Sequence, residues 1–130
     1  MTTIATDVYR QSDWLKFELH PEVAFARKKV ILTVDAATTL LTGTVLGKVT
    51  ATGKYKVAKE DATDGSEIAD AILFFDVPVV VGDNNVVVIN KFAQVGDKGL
   101  VLDQTYNTDA KKQAVYDALE AKDIQVLKSL

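Results

Sequence analysis

Few residues of this chain have the types and spacing that catalysis needs. The sequence holds one histidine, His20, and no cysteine. A thiolate nucleophile, a thiolate metal site and a disulfide framework are therefore excluded. A Ser-His-Asp arrangement would have to join His20 to Ser12, Ser66 or Ser129, and none of these serines stands in a Gly-x-Ser-x-Gly elbow. An isolated histidine followed by Pro21 reads as a satisfied or exposed side chain rather than a general base. The stretch Asp61–Gly65 has the outline of a calcium loop, but it lacks the alternating oxygen ligands and the closing glutamate, so it reads as a solvated turn. Gly43 and Gly47 lack the Gly-Lys-Ser/Thr ending of a phosphate loop and read as turn or close-contact positions. The expectation is a chain that is not an enzyme and carries no cofactor or metal.

What remains is the chemistry of contact. The stretch from Asp13 to Leu19 concentrates Leu15, Lys16, Phe17 and Leu19 beside Trp14, the only tryptophan of the chain. Leu15, Phe17 and Leu19 alternate with Lys16, Glu18 and His20, the period-2 pattern of a strand with one apolar face. One reading makes this strand an arm that adds to the edge of a partner's sheet, with aromatic side chains as anchors. The other packs the same side chains onto the chain's own domain. The residues alone do not choose between them.

The elements that would position this stretch are mostly strands. The first 34 residues carry five basic side chains (Arg10, Lys16, Arg27, Lys28, Lys29) against four acidic ones and contain no glycine. They read as an N-terminal arm with the first strands (1–34), joined to a β-rich body (35–130). Pro21 ends ladder pairing, and Val30–Val34 is a second strand candidate. Segments 43–50 and 54–57 flank Ala51-Thr52-Gly53 and suit a hairpin. Residues 59–67 form a polar loop through Asp64-Gly65. The runs 71–81 and 86–95 read as a second hairpin around Gly82–Asn85, with Val86–Ile89 covered on both faces. A helix near 109–121 is capped by Thr108 and turns Ala110, Ala114, Val115, Ala118 and Leu119 to one face. Ile124–Leu127 is a closing strand.

Composition bounds the setting. The 130 residues are 48% hydrophobic and 25% charged, which suits one globular domain. A net charge of -3 argues against direct nucleic-acid binding. The N-terminus lacks the basic and apolar regions of a secretory signal. The most apolar run, 71–81, is interrupted by Asp76 and Pro78 and is too short to cross a bilayer, so no membrane role is expected.

One segment is familiar. Gly43 to Tyr55 (GTVLGKVTATGKY), followed by Asp64-Gly65 and by Ala69 to Leu73 (ADAIL), resembles the phage head decoration protein family. Asp13 to Lys16 and the closing helix with Ile124 to Val126 look like its longer members, so the resemblance spans about Asp13 to Val126. It implies a mostly β, β-clip-like small domain with one C-terminal α-helix and an extended N-terminal arm. It also implies a homotrimer on the capsid surface at three-fold positions, binding the major capsid protein of the expanded head. The role would be to hold the shell against packaged DNA in the virion, after synthesis in the host cytoplasm. Trp14, Leu15, Lys16, Phe17 and Leu19 are then the expected capsid-binding residues. The lambda member of that family lacks the Trp-Leu-Lys stretch. An alternative is a virion-surface adhesin or glycan-binding module. The dUTPases, an enzyme class related in fold, require a glycine-rich C-terminal phosphate segment, which 122–130 does not provide.

Overall fold

A computed structural model describes residues 14–20 and 26–127. The first thirteen residues of the expected arm, Pro21 and Ser129 lie outside the described residues. The chain is mostly β with one described α-helix near its C-terminus, as the sequence leads one to expect.

Five strands close into a small barrel in the order β2 (Arg27–Val34), β5 (Tyr55–Val57), β4 (Val45–Lys48), β6 (Ala69–Leu73) and β8 (Gly82–Ile89). A short ribbon of β3 (Thr38–Leu40) and β7 (Val77–Val79) extends from it. A second sheet has the order β1 (Leu15–Glu18), β9 (Ala93–Gly96), β10 (Ile124–Leu127), with β1 antiparallel and β10 parallel to β9. Residues 27–34, grouped by charge with the arm, pair with β8 along their whole length and so form a barrel wall.

Two apolar cores follow from this layering. Val30, Leu32, Leu46, Tyr55, Leu73 and Val88 fill the barrel. Val45, Ile72 and Ile89, their neighbours on the other face, pack outward against Trp14, Val95, Leu119 and Ile124. A strand with an apolar partner on each side gains nothing from alternating polar residues. That is why Val86–Ile89 reads as an unbroken apolar run.

The expected hairpin around residues 51–53 forms between β4 and β5. The second expected hairpin differs. Gly82–Asn85 is not a loop but the start of β8, opposite Ile31–Val34. The chain turns earlier, at Val80-Val81, and Asn84 holds that turn. Its amide oxygen accepts from Val80 N at 3.0 Å, and its Nδ2 donates to Val80 O at 2.9 Å. The polar residues serve the turn from inside the strand. The run 71–81 is likewise split at Phe75-Asp76, where the Asp76 carboxylate accepts from Thr42 N at 2.7 Å.

The helix α1 (Asp109–Glu120) starts at Thr108, whose hydroxyl accepts from Lys111 N at 3.3 Å. It buries Val115 and Leu119, while Ala110 and Ala114 stay exposed, in contrast to the apolar face expected of them. The helix docks on β6 and β10, with Tyr116 and Ala118 packed beside Val115 and Leu119 against the core.

Both singled-out glycines serve close approach. A Cβ at Gly47 would lie 2.0 Å from Ser66 O, and one at Gly43 would lie 2.7 Å from Gly99 O and 2.8 Å from Trp14 Cδ1. Gly43 also has φ +92°, where side chains are strained, whereas Gly82 shares that backbone region (φ +99°) with open space around it. Gly43→Ala is expected to cost roughly 2–4 kcal/mol in urea unfolding and Gly82→Ala about 1 kcal/mol. Equal losses would show that the contact of Gly43 with the indole is slack.

Candidate functional site

The candidate site is built around β1. Its first neighbour, Trp14, is fully buried, and its Nε1 donates to Thr42 Oγ1 at 2.9 Å. That hydroxyl in turn donates to Phe74 O at 2.7 Å, so the indole is tied through Thr42 to the end of β6. The Phe74 ring stands edge-on to the indole at 6.4 Å. Buried indole N–H groups need such a partner, and this one is supplied by a residue 28 positions away.

β1 then departs from the face that its alternation implies. Its register against β9 shifts between Leu15 and Phe17, because Lys16 is a bulge. Beyond the bulge the pattern inverts: Glu18 is buried and Phe17 is 51% exposed. A carboxylate goes inward because Arg27 meets it there. Arg27 Nη2 donates to Glu18 Oε1 at 2.6 Å and Nε donates to Oε2 at 3.0 Å, a bidentate pair. The same guanidinium lies 4.2 Å from the centre of the Phe74 ring, which favours a cation over its face. The hydrogen bond to Glu18 raises the pKa of Arg27 further. Neither charge alone announced this pair in the sequence. The only signal was two opposite charges at the mouths of one short connection.

With Glu18 turned in, the solvent side of the second sheet carries a row across three strands. Phe17 stands opposite Gln94, and Gln94 stands opposite Gln125. Gln94 Nε2 donates to Gln125 Oε1 at 2.9 Å. Lys16 lies across Gly96, where a Cβ would be 3.0 Å from Lys16 Cε. Leu127, opposite Gly96, is also exposed. The face is therefore a shallow mixed surface of one aromatic, one aliphatic, one lysine and two amides.

The five residues expected to meet a partner thus separate. Lys16 and Phe17 are exposed, Leu15 and Leu19 are half-buried, and Trp14 belongs to the chain's own core. While β1 stays docked, Trp14 has no further area to bury against anything else. Leu19 N donates to Phe92 O at 2.9 Å, which continues the pairing of β1 past its last strand residue. β1 is nonetheless an edge strand, with β9 on one side only among the described residues.

The other sequence features have structural employment. His20 is exposed, with φ +52° at the turn after β1. In the loop that has a calcium-loop outline, Asp64 is spent on its own turn. Its carboxylate accepts from Ser66 N at 3.0 Å and Ser66 Oγ at 2.5 Å and faces Lys56 Nζ at 3.1 Å. The Ser66 hydrogen bonds hold its pKa well below the usual carboxylate range. Tyr55, in the barrel, donates to Asp70 at 2.6 Å, and burial with that bond pushes its phenol far up.

Arg27→Met is expected to lose about 2–4 kcal/mol in urea unfolding, since it strands a buried carboxylate. Glu18→Leu combined with Arg27→Met should recover most of that loss. A double variant as unstable as the sum of its parts would show that the pair is not coupled.

The comparison with known families completes the description. No curated protein matches the chain. The family model of bacteriophage lambda head decoration protein D matches residues 4–124. That span takes in β1 to β9 and the helix and ends at the first residue of β10. The chain belongs to the bacteriophage lambda head decoration protein D family, structural proteins of the phage capsid.

Proposed function

We propose that this chain attaches as a homotrimer at three-fold positions of the expanded phage head and stabilises the shell against the pressure of packaged DNA. The reading rests on the family match over residues 4–124, together with the exposed Lys16 and Phe17 of a docked β1. The β-clip-like arrangement implied by the resemblance belongs to the same proposal, as does the major capsid protein as partner.

The contact surface we assign is the solvent side and free edge of β1. Phe17 and Lys16 meet the shell, while Trp14, Leu15 and Leu19 act by holding the strand on its own body. Burying one large apolar side chain such as Phe17 is worth about 1.5–3 kcal/mol. A single contact of that size binds weakly. Three carried by one trimer would bind tightly through effective concentration, provided the sites on the shell match their spacing. Selectivity for the expanded shell follows if expansion uncovers the receiving edge.

Co-sedimentation with expanded and unexpanded heads of the cognate phage tests this. Saturable binding to expanded heads only is expected, with affinity for the shell falling at least about tenfold in Lys16→Glu/Phe17→Ser. Deletion of residues 1–13 spares Trp14 and reports separately on the segment before it. Binding that survives the double substitution moves the contact away from β1. No binding to either head, with retention on a glycan array, favours the adhesin.

A further inference from the structure

The barrel has one weak seam. β2 is paired with β8 over all eight of its residues, yet on its other side it meets β5 only at Leu32 opposite Tyr55. From Arg27 to Ile31 the β5-side edge has no strand partner among the described residues. The opposite wall is the tip of the β4–β5 hairpin, and the gap between them is a groove of about 330 Å³. Lys28, Lys29, Ile31, Lys48, Lys54 and Asn85 are among the residues that line it.

The charge of this groove runs against that of the chain. Lys28, Lys29 and Lys48 are exposed, and none of them takes part in an ion pair among the described residues. Lys54 is paired with Asp83 at 2.8 Å, so the local balance stays positive in a protein of net charge -3. Lysines on an open edge also discourage like edges from stacking. That purpose needs one lysine on the edge strand itself. It does not account for Lys48, which reaches the same gap from a different hairpin.

We infer that this seam is a second docking site, which accepts an extended acidic peptide segment of a partner as an added strand on β2. Backbone groups of residues 28–31 would supply the ladder, and Ile31, 40% exposed, the apolar contact. Lys28, Lys29 and Lys48 would select glutamate and aspartate side chains. A nucleic acid fits less well. The one aromatic residue lining the groove, Tyr55, is buried in the barrel, so no ring is offered for base stacking. This site lies in the barrel rather than in the β1 sheet, and it stands or falls independently of shell attachment.

The test uses the full chain, labelled with 15N, and blocked peptides in which glutamate or lysine alternates with valine. Saturable movement of the amide signals of residues 28–31 is expected with the glutamate peptide and not with the lysine peptide. Lys28→Glu/Lys29→Glu/Lys48→Glu should weaken binding at least about tenfold, and added salt should weaken it in the parent chain. Lys48→Glu alone, on the hairpin tip, serves if the triple variant does not fold. An edge blunted by its lysines and nothing more would show no movement at 28–31, which overturns the inference. Tighter binding of oligothymidylate than of the acidic peptide would overturn it in favour of a nucleic acid.

Discussion

The Trp14 indole is enclosed from several directions, and the rest of the chain is arranged around that enclosure. Gly43 leaves it room, Thr42 accepts the hydrogen bond of its N–H, and Phe74 closes one side edge-on. Phase by phase this links three separate stretches: the start of β1, the turn before β4 and the end of β6. Truncating an aromatic side chain packed so fully costs about 3–5 kcal/mol, a large share of the stability of a domain this size. The second tie is the Glu18–Arg27 pair, which leans on the same Phe74 ring. Two fixed points, one at each end of a four-residue strand, leave β1 little freedom to leave the body. They also decide which way its other side chains face.

That is why a stretch that looks like a binding arm splits its residues between core and surface. The alternation of Leu15, Phe17 and Leu19 promised one apolar face, and a regular strand would have delivered it. The Lys16 bulge breaks the period, and no local residue type announces a bulge there. Tertiary charge pairing then sets the outcome, because Glu18 turned inward accepts two bonds from the Arg27 guanidinium. The helix shows the same limit from another side. Its existence and its Thr108 cap are local properties and were legible. Which of its alanines would be covered depends on how the helix sits on β6 and β10, and a helical period does not encode that.

The barrel was legible in its parts rather than in its closure. The β4–β5 hairpin, the doubly covered run Val86–Ile89 and the closing strand all follow from pattern and turn chemistry. The turn at Val80-Val81 was misplaced because Gly82, Asp83, Asn84 and Asn85 carry every mark of a loop. Here Asn84 spends its side chain on the turn while its backbone continues the ladder to Leu32. Polar residues at a strand end that projects past the barrel cost nothing, so composition and conformation part company. The exposed face of β1 was half visible: Lys16 and Phe17 could be named, but Gln94 and Gln125, which complete the row, come from strands far along the chain.

A structural protein of the capsid needs rigidity and surfaces more than chemistry, and the distribution of strain and charge fits that. Asp64 is hydrogen-bonded to Ser66 within its own turn, and Asp83 is paired with Lys54. Among the described residues several strand edges stay open, the outer side of β1 and the seam beside β2 among them.

On the proposed reading, Trp14 pins β1 to its own body and stays there when the surface is used. Trp14 is the sole tryptophan, so its fluorescence reports on this point without labelling. Acrylamide quenching should be weak in the free protein and equally weak on expanded heads, once the signal of the heads alone is subtracted. Strong quenching in the free protein, or a change from one environment to another on binding, would contradict it, because β1 would then leave the body to act.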